Sequence, residues 1–90
     1  MAIGYNESQK INNEQQQYYQ KFTKLSDEYY EAHRYVKKLQ GQQNKTESEK
    51  KQLQDWKDEK ENIYTRLKDL NILTERRLGK GYTEKLPLKL

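Results

Sequence analysis

Apolar residues in this chain recur at steps of three and four, and that rhythm constrains its fold more than any other feature. From Tyr18 the row runs Phe22, Leu25, Tyr29, Ala32, Val36 and Leu39, at steps of 4, 3, 4, 3, 4 and 3. Ile11 extends the row upstream, and Gln15 fills the skipped position. A mean spacing of 3.5 residues belongs to heptad helices, whose a and d side chains form one seam. A strand would alternate with period two, and no such alternation is visible. A second row carries Leu53, Trp56, Ile63, Leu67 and Leu70, with Lys60 and Thr74 at seam positions between and beyond them. Tyr64, Leu73 and Leu78 widen this second stripe to one side.

Punctuation divides the two rows. Asn6 with Gln9 three residues on has the form of a capping box, so helix one is expected over residues 6–40 after an N-terminal arm of residues 1–5. Gly41 stands where a left-handed residue ends a helix, and residues 41–45 are polar without helical patterning. Thr46 and Glu49 form a second capping box, and Glu47 and Glu49 suit the positive end of the helix dipole. Helix two is then expected over residues 46–78, with Arg76 and Arg77 in its last turn and Gly79 as its stop. A loop this short makes the helices antiparallel neighbours. The expected fold is therefore all-α, an antiparallel two-helix hairpin of coiled-coil type. Two registers fit the pattern. One sets Leu39 against Leu53, Val36 against Trp56, Tyr29 against Ile63, Leu25 against Leu67 and Phe22 against Leu70. The other slips by a heptad and sets Leu25 against Lys60. Burial favours the first.

A two-helix seam covers each apolar side chain on one side only, so a second layer is expected. Tyr19, Tyr30, Tyr35 and Tyr64 lie off the main seam and suit such a layer, because a tyrosine ring packs while its hydroxyl stays wet. Dimerisation into a four-helix bundle is the first expectation, and packing on a larger protein the second. The core seam itself is assigned to Phe22, Leu25, Tyr29, Val36, Trp56, Ile63, Leu67 and Leu70.

Composition narrows the function classes. The absence of cysteine removes disulfides, thiolate metal sites and redox switching. No apolar run approaches the roughly 20 residues that span a bilayer, so no membrane partner is expected. The opening residues lack the basic segment and apolar core of a secretory signal. A cytoplasmic setting is the expectation, or a virion or host cytoplasm for a viral source. Abundant Lys, Asn, Gln and Tyr match the style of small phage and viral accessory proteins from AT-rich genomes. His33 is the single histidine, and its neighbours on its own helix, Tyr29, Tyr30, Val36 and Lys37, include no carboxylate. It reads as a surface histidine. Adjacent acids such as Asp27 and Glu28 diverge around a helix, and the four glycines form no phosphate-cradling loop. No catalytic residue, metal ligand or cofactor is assigned, and an enzyme is not expected.

Charge is distributed unevenly. Residues 1–75 hold thirteen basic and thirteen acidic side chains, so the net charge of +4 resides in residues 76–90. There Gly79 and Gly81 interrupt the helix and Leu86-Pro87-Leu88-Lys89-Leu90 forms an extended apolar-basic end, since Pro87 excludes a continuing helix. Residues 79–90 read as a tail with three possible roles: an idle terminus, a docking peptide, or a phosphate-binding segment. Arg76, Arg77, Lys80, Tyr82, Leu86 and Leu88 are the candidate partner-binding residues. The expected function is a non-catalytic interaction or assembly module whose partner is itself or a larger protein. A small basic nucleic-acid-binding protein is the alternative.

Overall fold

The computed structural model describes the backbone of residues 3–90 and the side chains from residue 12 onward. Two helices, α1 (Ile3–Gln40) and α2 (Glu47–Leu78), pack antiparallel, and a single 3-10 turn, η1 (Lys80–Tyr82), follows them. Among the described residues there is no strand. The expected all-α hairpin is the observed fold, drawn out to 69 × 18 × 16 Å.

Helix α1 begins at Ile3, three residues before the expected start, so residues 3–5 belong to the helix and not to an arm. Met1 and Ala2 of that arm, and the side chains of Asn6, Gln9 and Ile11, lie outside the described residues. At the loop, the left-handed residue is Asn44, at φ 57°, and not Gly41. Gly41 stays within the helical pattern, its N–H bonding the Lys37 carbonyl at 3.0 Å. Asparagine tolerates the left-handed region well enough to take the reversal itself. Helix α2 opens as expected on Thr46, whose Oγ accepts from the Glu49 N–H at 3.2 Å. The Glu49 carboxylate accepts the Thr46 hydroxyl at 3.1 Å instead of reaching back to a main-chain amide. Nearby, Glu47 pairs with Lys50 at 3.4 Å, not with Lys51 one position on. Gly79 closes the helix at φ 111°, its N–H on the Glu75 carbonyl.

The register is the one that burial favoured. Tyr29 meets Tyr64 with ring centroids 5.3 Å apart, and Tyr35 stacks on Trp56 at 4.6 Å. Glu14 reaches Arg77 at 2.7 Å near the open end of the hairpin. Tyr29, Ala32, Ile63, Tyr64 and Leu67 form the buried centre, with Phe22, Leu25, Trp56 and Leu86 packed against it. Leu67 is fully buried and Tyr29 is 1% exposed.

In an antiparallel pair of heptad helices, the e positions flank one side of the seam and the g positions the other. On the e side lie Ser26 and His33 of α1 and Tyr64 and Asn71 of α2. On the g side lie Lys21, Glu28 and Tyr35 of α1 and Glu59, Arg66 and Leu73 of α2. The two sides end up very differently. Residues 83–90 turn back at Gly79 and run in extended form along the e side, parallel to α1. The missing layer over the seam is therefore supplied, on this side, by the chain's own tail.

Candidate interaction site

The tail is held mainly by its backbone. Tyr18 and Tyr29 are eleven residues apart, three helical turns, and so project in nearly the same direction from α1. The Tyr18 hydroxyl accepts from the Glu84 N–H at 2.8 Å and donates to Asn71 Oδ1 at 2.6 Å. Asn71 in turn donates its side-chain amide to the Glu84 carbonyl at 2.9 Å. Residue 84 is thus gripped at both its main-chain N–H and its C=O. Three residues on, Tyr64 donates its hydroxyl to the Pro87 carbonyl at 3.0 Å. Three further, the Tyr29 hydroxyl accepts from the Leu90 N–H at 2.7 Å, and Lys60 Nζ bonds the Leu90 main-chain oxygen. Burial pushes the Tyr18 hydroxyl above its ordinary pKa, against the opposing effect of the bond from Glu84. It therefore stays protonated and able to donate at physiological pH.

Lys60 occupies a seam position opposite small Ala32, and its amine also donates to His33 Nδ1 at 2.9 Å. His33 is partly exposed, as expected of a surface histidine, and its polar partner comes from the other helix and not from its own. Desolvation lowers the His33 pKa, and the charges of Lys60 and Lys37 lower it further. Burial likewise lowers Lys60, with Lys37 adding to the effect and Glu61 opposing it. The lysine also lies 5.7 Å from the centre of the Tyr29 ring.

The expected partner-binding residues separate on this scaffold. Leu86 turns inward onto the core, while Leu88 is 79% exposed. A strand would have placed both on one side, but the tail meets the groove with its backbone at residues 84, 87 and 90. Tyr82 is half-buried and lies beside Gly79. Arg76 and Lys80 are exposed. Arg77 pairs with Glu14, and Lys89 with Glu61 at 3.3 Å. Of the tyrosines expected to form a second interface, Tyr19, Tyr30 and Tyr35 are exposed. Tyr64 is instead buried in the core, because the tail and the Lys89 stem cover it.

Seam reasoning missed Asn71 and Lys60 as holders of the tail, and it placed Tyr18 and Tyr29 only as apolar filling. A signal was present: phenols stand at seam positions where leucine is the ordinary choice, and a buried hydroxyl requires a partner.

The g side carries no such cover. Leu25, Leu70 and the 56% exposed Leu73 line an open groove flanked by Lys21, Lys24, Arg66, Glu28 and Asp69. Nearer the loop, Ala32, Trp56 and Ile63 floor a second depression rimmed by Glu28, Glu31 and Glu59. Among the described residues, no group of three or more His, Cys, Asp or Glu could hold a metal ion. No helix among them is long and apolar enough to cross a membrane.

Fold and surface together define a helical hairpin strapped on one side by its own C-terminal segment and bare on the other. No family model, curated protein or solved structure matches this chain.

Proposed function

We infer that the chain is a non-catalytic assembly module that pairs with a second copy through its open g side, giving a four-helix bundle. The observation that carries this reading is the distribution of charge around exposed leucine on that side. Lys21, Lys24 and Arg66 outnumber Glu28 and Asp69 around the groove at Leu25, Leu70 and Leu73, whereas only acids, Glu28, Glu31 and Glu59, rim the depression nearer the loop. A two-fold axis across the face lays the basic end of each protomer over the acidic end of the other. The same rotation covers Leu73, which the chain itself leaves exposed, and completes the cover of half-buried Leu70. A larger protein with a matching helix would meet the same surface.

Sedimentation of the full chain tests the reading. The expected result is twice the chain mass, falling to a single chain for Leu73→Glu with its helical circular dichroism unchanged. A wild-type chain that stays monomeric into the high micromolar range overturns self-pairing. The phosphate-binding alternative gains no specific support, since two of the basic residues in 76–90 are already engaged with carboxylates.

A further inference from the structure

The groove on the e side is filled, and nothing in the way it holds its occupant depends on the covalent link. Tyr18 and Asn71 grip the peptide unit of residue 84, Tyr64 holds the Pro87 carbonyl, and Tyr29 holds the Leu90 N–H. Leu86 is the one apolar side chain of the segment packed on the core. The Thr83 hydroxyl also donates to Glu75 Oε1 at 2.9 Å, and the connector before it is lightly held. Gly79 is at φ 111°, a Cβ at Gly81 would meet nothing within 4 Å, and one weak main-chain bond of 3.3 Å, Tyr82 to Gly79, spans the turn. We propose that this groove is a binding site for an extended peptide, and that it accepts residues 83–90 of a second copy of the chain in exchange for its own.

Two physical points favour exchange over simple loss of the tail. Vacating the groove breaks the bonds of the Tyr18, Tyr29 and Tyr64 hydroxyls to residues 84, 90 and 87 and uncovers the core beneath Leu86, so an empty groove is costly. The second copy carries an identical segment, which restores each of those contacts without new chemistry. In dilute solution the tethered tail wins, because a short link gives an effective concentration of about millimolar or above. Where copies are crowded, as in an assembly, the exchanged form competes. The site lies on the side opposite the open groove, so it stands or falls independently of pairing there.

A fluorescent synthetic peptide of residues 83–90, titrated into the full-length chain, tests the proposal. The Leu86→Asp chain should release its own tail and bind the peptide at least about tenfold more tightly than the unaltered chain, whose groove is occupied. Adding Tyr64→Phe to that variant should weaken the peptide by about fivefold, the effect of one hydrogen bond. A peptide carrying Leu86→Asp should not bind. A helical Leu86→Asp chain that binds the peptide no better than the unaltered chain overturns the proposal, as does equal binding of the altered peptide. If the Leu86→Asp chain loses its helical signal, the unaltered chain serves. With isotope-labelled chain and unlabelled peptide at millimolar excess, the Glu84 and Leu90 amide resonances should move to free-peptide positions. Resonances that stay in place overturn the proposal equally.

Discussion

The two sides of the hairpin seam are built from the same helices and the same heptads, yet one is closed and the other open. On the closed side the seam and its flank carry polar-tipped residues, Tyr18, Tyr29, Tyr64, Asn71 and Lys60, each bonding the tail main chain. On the open side the flanking residues are Leu73, Arg66, Glu28 and Lys21, which line a groove that no tail residue borders. What separates them is the type of group at the edge of the groove. A hydroxyl or amide set in an apolar rim binds a backbone, which has a donor or acceptor wherever it passes. A leucine ringed by charges calls for another surface with its own side chains.

Three experiments probe that contrast. The largest effect should come from Leu67→Ala, because Leu67 is fully buried beneath both sides. A loss of about 3 kcal/mol is expected in urea unfolding followed by helical circular dichroism, and it should loosen tail and hairpin together. A loss under about 1 kcal/mol would mean that the two sides do not share one core. Next comes a matched pair. Tyr64→Phe should lower stability by about 1 kcal/mol and speed amide exchange at residues 84–90. Leu73→Ala, measured where the chain is monomeric, should change stability by no more than about 0.5 kcal/mol. The reverse ranking would break the distinction between closed and open sides.

The smallest effect concerns acidity. The His33 pKa is lowered in the folded chain, chiefly by desolvation and then by Lys60 and Lys37, from its ordinary 6.5. Just below that value the unfolded chain binds more protons than the folded one, so stability falls as pH drops and is level above it. Protonated His33 also cannot accept from Lys60, and it sets a second cation beside the amine that holds Leu90. Melting temperature should therefore decline modestly from about pH 7.5 to about pH 5, and His33→Gln should remove the His33 share of that decline. An identical decline in His33→Gln would place its source elsewhere.

Much of the hairpin can be read from local rules. The 3.5-residue spacing, the Thr46 cap and the stop at Gly79 each depend on residues a few positions apart, and each is where it was expected. The reversal at Asn44 was less legible, because glycine and asparagine both tolerate left-handed backbone and Gly41 stands in the more familiar place. The seat of the tail lay further out of reach. It depends on bonds such as Tyr18 to Glu84, 66 positions apart in the chain, and periodicity carries no information about single bonds at that separation. Tyr64 was misplaced for the same reason: its exposure depends on where residues 87–89 lie, and two-helix geometry alone leaves it bare.

The grip at residues 84, 87 and 90 falls on main-chain atoms, while Lys85 and Leu88 face solvent. Such a strap separates where it is fastened from what it displays. Substitution at residues 85 and 88 can rewrite the chemistry shown along this side of the rod without disturbing the bonds beneath. The hairpin thus offers a rail on which a short, freely editable surface can be mounted, whether by mutation over generations or by deliberate grafting.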